Sequence, residues 1–202
     1  IAVGGLIVQS AVNGYGMLVI SGFTAPNKLY ALLEIAAISL GYAISTFVGQ
    51  NIGAKQYLRV RRGVHTGLVV GLGVSVVISV LMLTLGRFLV PLFISGTPEE
   101  VASATQTALA YLNTMSAFLS VLYVLYVYRS ALQGMGNTLI PMVSGIAEFA
   151  LRVAVVWTLP AIFGPNSIFF AEIAAWAGAA AILLSAYYVC VRALPHADAP
   201  LA

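Results

Sequence analysis

A short basic segment between two long apolar runs constrains the position of every other part of this chain. Residues 55–62 include Lys55, Arg59, Arg61 and Arg62, four of the nine basic residues, and contain no acid. Clustered lysine and arginine between membrane spans stay on the cytoplasmic side, because carrying them across the bilayer is unfavourable. A nucleic-acid-binding patch would also be basic, but it would lie on a soluble domain rather than between lipid-like flanks. The pattern therefore predicts a cytoplasmic loop and no nucleic-acid partner.

Composition assigns the chain to the integral membrane proteins. Hydrophobic residues make up 61% of it and charged residues only 7%, whereas a soluble domain carries roughly 25% charged residues. The lipid bilayer is therefore the first expected partner. The single cysteine, Cys190, cannot form an intrachain disulfide, and no paired-cysteine or histidine spacing suggests a metal site. The sequence contains no catalytic set and no nucleotide-binding loop, so we predict no enzyme activity and no catalytic residues.

Apolar runs divide the chain into membrane spans. The first run, residues 1–12, would be about 18 Å long as a helix, while a bilayer core needs about 30 Å. We interpret it as a span whose beginning lies upstream. We predict full spans at 17–52, 64–94, 102–133, 139–163 and 168–191. The expected fold class is all-α, a polytopic transmembrane helix bundle of five full spans plus a truncated first span. It would form a single transmembrane domain over 1–202, with a flexible tail at 193–202.

The turn before the fourth span carries a strong helix-start signal. Thr97 is suited to the N-cap position and Pro98 to the first helical position, and two glutamates follow in the first turn. One crossing from the basic loop, this turn is expected outside the cell. Alternation then returns Arg129, at the end of the fourth span, to the cytoplasmic side, together with the C-terminus after Arg192.

Glycines in the third span predict a close helix contact. Gly63, Gly67 and Gly71 recur every four residues and so share one face of a helix. Small residues at this spacing let two helix backbones approach in a bilayer. We expect a neighbouring span to pack along this face.

Four ionisable residues stand out away from the ends of the predicted spans, where such groups are expensive and indicate function: Lys28, Glu34, Glu148 and Arg152. Glu148 and Arg152 are four apart, so they share a helix face and can pair. They lie about 14 and 20 Å into a core of about 30 Å, near the midplane. Inserting these two charges into the bilayer costs roughly 5–7 kcal/mol, and the apolar residues of the span favour insertion by roughly 4–7 kcal/mol. We therefore expect this face to meet protein or a water-filled cavity.

Purely structural interpretations of these residues also stand. The Glu148–Arg152 pair could simply hold two helices together, and Lys28 could extend its ammonium outward to the interface. Lys28 and Glu34 are six apart and need separate partners. Glu172, one turn into the last span, is expected at the membrane interface.

Two sequence motifs lie at the predicted cytoplasmic ends of the spans. The first is Val48-Gly-Gln-Asn-Ile-Gly-Ala followed by Arg59-Val-Arg-Arg-Gly, and the second begins Tyr128-Arg-Ser-Ala-Leu-Gln-Gly-Met-Gly-Asn. Ala25-Pro-Asn-Lys precedes the first motif and Glu148-Phe-Ala-Leu-Arg follows the second. Together these segments resemble the multidrug and toxic compound extrusion (MATE) transporters. The resemblance implies half of a twelve-helix, two-lobe transporter, with this chain as the C-terminal lobe and an N-terminal lobe as its missing partner.

The resemblance also implies a function. Members of that family export small cationic or aromatic compounds across the plasma (inner) membrane in exchange for Na+ or H+, by alternating access. Some branches hold the cation on acids in helices seven and ten, and others in the first helix of the N-terminal lobe. Here neither the retained part of helix seven nor the helix-ten candidate, residues 102–133, contains an acid. Our candidates for cation and substrate translocation are therefore Glu34, Glu148, Arg152 and Lys28, with no resident metal or cofactor. The alternatives are a lipid-linked oligosaccharide flippase of related architecture and a non-transporting scaffold or binding subunit.

Overall fold

A computed structural model describes residues 9–10 and 17–195 of the chain. Every regular element in this part is helical, as the sequence predicts. The α-helices are α1 (Met17–Gly53), α2 (Tyr57–Leu89), α3 (Pro98–Ala117), α4 (Leu119–Gly134), α5 (Leu139–Phe163) and α6 (Phe170–Ala193). Short 3-10 helices follow α2 at Val90–Phe93 and precede α6 at Pro165–Phe169. Among the described residues, four helices are long and apolar enough to cross a membrane, and there are five if the bent pair α3–α4 counts as one span.

Two predicted segments fall mainly outside the described residues. The truncated first span, residues 1–12, is described only at Gln9 and Ser10. Of the tail predicted at 193–202, Ala193 ends α6 and residues 196–202 are not described. Both predictions therefore stay as they were made.

Helix α4 lies at the centre of the bundle. Ten of its 16 residues are buried, and it packs against α1, α2 and α6. Its contact with α1 is close because small residues line both helices. A Cβ added at Gly41 would lie 2.6 Å from Ser130 Oγ, and one at Gly134 would lie 2.6 Å from the Ser45 carbonyl oxygen. Helix α5 packs mainly on α6 and makes few contacts with α4, so it lies at the flank of the bundle.

The glycine face predicted on the third span is confirmed. A Cβ added at Gly67 would lie 2.9 Å from Ile44, and one at Gly71 would lie 2.8 Å from Leu40. Gly63 meets the ring of Phe47 in the same way. The three glycines of α2 therefore face successive turns of the antiparallel helix α1.

The fourth predicted span is broken rather than continuous. Helices α3 and α4 meet at Phe118 with a bend of 47°. The break frees backbone groups that a bilayer cannot hydrate, so they need partners within the protein. Ser79 of α2 donates a hydrogen bond of 2.6 Å to the Ser116 carbonyl oxygen, and Ser75 lies 2.8 Å from Ser120 Oγ. The serines of α2 thus stabilise the bend.

The basic segment is mainly helix, and its prediction as a loop is wrong. Only 54–56 form the turn, with Lys55 at φ 56°, and α2 begins at Tyr57. The backbone N–H of Val60 donates to the Gln56 carbonyl oxygen, and the Val60 side chain is fully buried. Burial of Val60 holds the first turn of α2 against the bundle, while Arg59 on the same turn is exposed.

Candidate functional site

The Glu148–Arg152 pair predicted on the fifth span is present, and its midplane depth stays a prediction. Arg152 Nη2 lies 3.1 Å from Glu148 Oε1, one turn away on α5. Both side chains are buried, each residue being 4% exposed. Two full charges in such a place require further partners, because an uncompensated buried charge costs several kcal/mol. The structure provides those partners on two other helices.

Arg129 of α4 and Glu172 of α6 extend the pair into a row of four alternating charges. Arg129 Nη2 lies 2.8 Å from Glu148 Oε2, and Arg152 Nη2 lies 2.6 Å from Glu172 Oε2. The order is therefore Arg129, Glu148, Arg152, Glu172, which we call the charge row. Its two positive and two negative charges sum to zero. The row ties α4, α5 and α6 together near the middle of the bundle.

The sequence does not predict that Arg129 and Glu172 join this pair. It predicts Arg129 at the cytoplasmic end of its span and Glu172 at the membrane interface, and both depths stay predictions. Each side chain turns inward, and the exposed fractions of the two side chains are 11% and 16%. Arg129 lies five residues before the end of α4, and its long side chain reaches Glu148 from there. Position along the chain shows depth only, whereas the direction of a side chain depends on how its helix packs.

Glu34 lies beside the charge row but outside it. Its carboxylate Oε1 accepts a hydrogen bond of 2.7 Å from the hydroxyl of Tyr126 on α4. Among the described residues it forms no salt bridge. Because the charge row is neutral, Glu34 is the one carboxylate in the described part of this region that no described cation balances, and the side chain of Lys28 lies outside that part.

A cavity of about 390 Å³ opens between α1 and α4 next to Glu34. Its wall includes Tyr126, which bonds Glu34, and Arg129, which pairs with Glu148. Tyr42 adds a second aromatic ring, Ser45, Ser130 and Gln133 add polar groups, and Ile38 completes the lining. Sequence analysis misses Tyr126 because a tyrosine near a span end is usually an interface anchor.

The remaining predicted site residue, Lys28, lies in α1, and its side chain is outside the described part of the structure. Its neighbour Asn27 accepts a hydrogen bond of 3.0 Å from the buried hydroxyl of Tyr111 on α3. Within the described ranges, no three His, Cys, Asp or Glu side chains are grouped as metal ligands.

The sequence matches known transporters of one family. The MatE family model matches residues 1–158. The chain is 30% identical to the probable multidrug resistance protein YpnP of Bacillus subtilis (strain 168), over 72% of this chain and 32% of that protein. It is 27% identical to the probable multidrug resistance protein YoeA of the same organism, over 45% of this chain and 19% of that protein. The chain therefore spans about a third or less of these relatives.

Solved structures show the same fold. A MOP superfamily transporter from Pyrococcus furiosus superposes with a TM-score of 0.82 at 19% identity, over 99% of this chain and 43% of that one. The bent form of the MATE transporter VcmN from Vibrio cholerae superposes with a TM-score of 0.83 at 16% identity, over 95% and 43%. The match of the family model over most of the chain, together with the apolar helices, leads to one conclusion: this integral membrane protein belongs to the MatE family of transporters.

Proposed function

We propose that this chain is one lobe of a multidrug antiporter, with Glu34 as the group that binds the coupling cation. The observation that carries the proposal is the Glu34 carboxylate, which no described cation pairs, next to a cavity and beside a charge row whose charges cancel. Carboxylates inside membrane spans mark ion pathways, because a bound cation neutralises a charge that is costly there. The Tyr126 hydroxyl oxygen is positioned to serve as a second ligand for Na+.

Loss of the charge on Glu34 can reach the rest of the lobe through α4. Tyr126 and Arg129 are three residues apart and share a face of that helix, and Arg129 pairs with Glu148 on α5. A cation on Glu34 would compete with the hydrogen bond from Tyr126, and the altered position of α4 would then act on the charge row. Couplings of this kind between sites are worth about 1–3 kcal/mol. In a two-lobe transporter, that free energy would favour one of the two rocking states.

The cavity also supports the proposed substrate class of small cationic or aromatic compounds. Its volume of about 390 Å³ falls within the range of about 300–1,000 Å³ typical of small-molecule sites. The rings of Tyr42 and Tyr126 offer stacking and cation–π contacts. The Glu34 carboxylate beside the cavity favours a cation there, and Arg129 in its wall is already paired with Glu148. A pyrophosphate of a lipid-linked oligosaccharide is therefore disfavoured, so the flippase alternative is the weaker one.

The proposed orientation puts the basic end of α2 and the C-terminus in the cytoplasm, in the plasma (inner) membrane. Lys55, Arg59, Arg61 and Arg62 lie together at this end, which agrees with the positive-inside rule. Gln56 is buried and is therefore a poor position for a label, but Ala54 is exposed. Single cysteines at Ala54 and Glu99, in a background without Cys190, should react with an impermeant reagent from opposite sides. Reaction of both from one side would reject the orientation.

The test of the transport proposal is Glu34→Gln in the complete gene product that contains residues 1–202. Gln keeps the shape and a hydrogen-bond acceptor for Tyr126 but cannot bind a cation as an anion does. We expect normal membrane levels and at least about tenfold slower ethidium efflux driven by a Na+ or pH gradient in proteoliposomes. Glu99→Gln, an exposed glutamate far from the cavity, is the matched control.

Three outcomes of this experiment have distinct meanings. Gradient-driven efflux by Glu34→Gln at the rate of the control would remove Glu34 from the site while leaving a transporter. Absence of ethidium transport by the unmodified protein, with headgroup-specific lipid flipping instead, would favour the flippase. Absence of both activities would favour the scaffold.

A further inference from the structure

A second cavity lies at the basic end of the bundle and shares no lining residue with the cavity beside Glu34. It has a volume of about 240 Å³ and opens between α2, α4 and α6. Arg61 and His65 of α2 form one side, and Tyr187 and Tyr188 of α6 form another. Tyr128 of α4 is buried and lies beneath them.

Arg61 bridges α2 and α6, the two helices on either side of the cavity. Its Nη2 donates hydrogen bonds of 2.9 and 3.0 Å to the carbonyl oxygens of Val191 and Leu194, at the C-terminal end of α6. Helices α2 and α6 have little other direct contact, so the guanidinium bridges a gap between them. The bridge also neutralises the partial negative charge of the last turn of α6. An opening that would otherwise be electronegative is therefore positive.

The charge around this opening is one-sided. Lys55, Arg59 and Arg62 lie within six residues of Arg61 in the chain, and Arg192 follows Val191, so five of the nine basic residues belong to this end of the bundle. None of the five glutamates that the structure describes lies in these stretches of the chain. Cations in this number around a cavity attract an anion from bulk solvent or from the lipid surface.

The walls resemble a headgroup site rather than a drug site. The rings of Tyr128, Tyr187 and Tyr188 pack together with centroids 5.0–6.4 Å apart. Tyrosines with one apolar and one wet end occupy the level of lipid headgroups. The volume equals about eight water molecules at about 30 Å³ each, which is room for a phosphodiester and its glycerol. It lies below the usual range of about 300 Å³ and above for drug-sized ligands.

We propose that this cavity binds the phosphodiester headgroup of an anionic phospholipid, with Arg61 and His65 facing the phosphate. The acyl chains would then lie along the exposed apolar surface of α2, where Val69 and Val70 are exposed on the next turn. Basic pockets between transmembrane helices at the cytoplasmic level have this chemistry. The site is separate from the proposed translocation site and does not depend on it.

The experiment counts lipids bound to the complete gene product by native mass spectrometry in a mild detergent. Phosphatidylglycerol and phosphatidylcholine are added at equal concentration, and soluble glycerol phosphate is added in a separate arm. His65→Glu puts a negative charge at the cavity. Thr66→Glu makes the same change of charge one residue further along α2, on an exposed position that does not line the cavity.

We expect phosphatidylglycerol to bind in preference to phosphatidylcholine. His65→Glu should weaken that binding by about fivefold, the factor that one charge contributes near a membrane surface, and Thr66→Glu should change it less than twofold. If the glutamate variant does not fold, the comparison is repeated without an added charge, with His65→Ala as the test and Thr66→Ala as its control. Equal binding of the two lipids, or equal losses in the two variants, would overturn the proposal. If millimolar glycerol phosphate occupies the cavity as strongly as the lipid does, the cavity binds a free phosphate instead. That result would also overturn the proposal.

Discussion

The charge row predicts an uneven and non-additive response to the loss of its carboxylates. Glu148 accepts from Arg129 at 2.8 Å and from Arg152 at 3.1 Å, whereas Glu172 accepts only from Arg152, at 2.6 Å, in the described salt bridges. The change Glu148→Gln therefore leaves Arg129 buried without a carboxylate. The change Glu172→Gln leaves Arg152 still paired with Glu148. The first variant should be much less stable than the second.

The magnitudes follow from the number of bonds. Breaking a buried ion pair costs about 3–5 kcal/mol in soluble proteins, and single polar contacts within membranes contribute about 0.6 kcal/mol on average and about 1.7 at most. Loss of two contacts from Glu148 should therefore cost about 3 kcal/mol of unfolding free energy. Loss of one contact from the partly exposed Glu172 should cost about 1 kcal/mol.

A double change separates the ion pair from simple packing. Replacing Arg129 with Met in addition to Glu148→Gln removes the unpaired cation and leaves Arg152–Glu172 as a neutral pair. We expect the double variant to be at least about 1 kcal/mol more stable than Glu148→Gln alone, since residues in one network are coupled. The measurement is unfolding of the complete gene product by SDS titration in mixed micelles, with Glu99→Gln as the exposed control.

Two results would refute this reasoning. A Glu148→Gln variant as stable as Glu99→Gln would mean that Arg129 finds water or another acceptor. Strictly additive losses in the double variant would mean that Arg129 and Glu148 do not interact in the folded protein.

Two further predictions concern helix packing. Gly71→Ala should lower the unfolding free energy by about 1–3 kcal/mol, because its Cβ would lie 2.8 Å from Leu40. Gly73 lies on the same helix with open space around it. Gly73→Ala should therefore be neutral or should raise the unfolding free energy by up to about 1 kcal/mol. Equal effects of the two changes in SDS titration would contradict the glycine contact. Ser79→Ala should cost about 1 kcal/mol by removing the donor to the carbonyl freed at the bend. Thr84→Ala should cost less, since its hydroxyl bonds only its own helix, and the reverse order in the same titration would refute this role of Ser79.

Helix boundaries are predicted correctly from the sequence where the signal is local. The bounds of α5 were predicted from Pro141 in its first turn and the turn residues after Phe163. Thr97 was predicted as an N-cap, and it forms a full capping box with Glu100. In both cases the residues that set the boundary are adjacent in the chain, so their chemistry decides the result without knowledge of the neighbouring helices.

Features that depend on packing between helices are not predicted from the sequence. The bend at Phe118 contains neither proline nor glycine, and it depends on serines of α2 about 40 residues earlier in the chain. The inward direction of Arg129 and Glu172 depends on how α4 and α6 are rotated about their axes. Tyr126 could have been found only by asking which neutral donor Glu34 meets, and that requires the packing of α1 on α4.

The charge row also bears on the order in which the helices enter the membrane during synthesis. Helix α5 alone is near break-even for insertion, since its two midplane charges offset its apolar residues. Arg129 is synthesised before α5, and Glu172 is synthesised after it. We therefore expect α5 to remain at the translocon until α4 pairs with Glu148, and to settle fully only when α6 brings Glu172 to Arg152. The test is a series of glycosylation-tagged truncations. Integration of α5 should rise when α4 is included upstream and should fall again with Arg129→Ala. Integration of α5 that depends neither on α4 nor on Arg129 would reject this order of assembly.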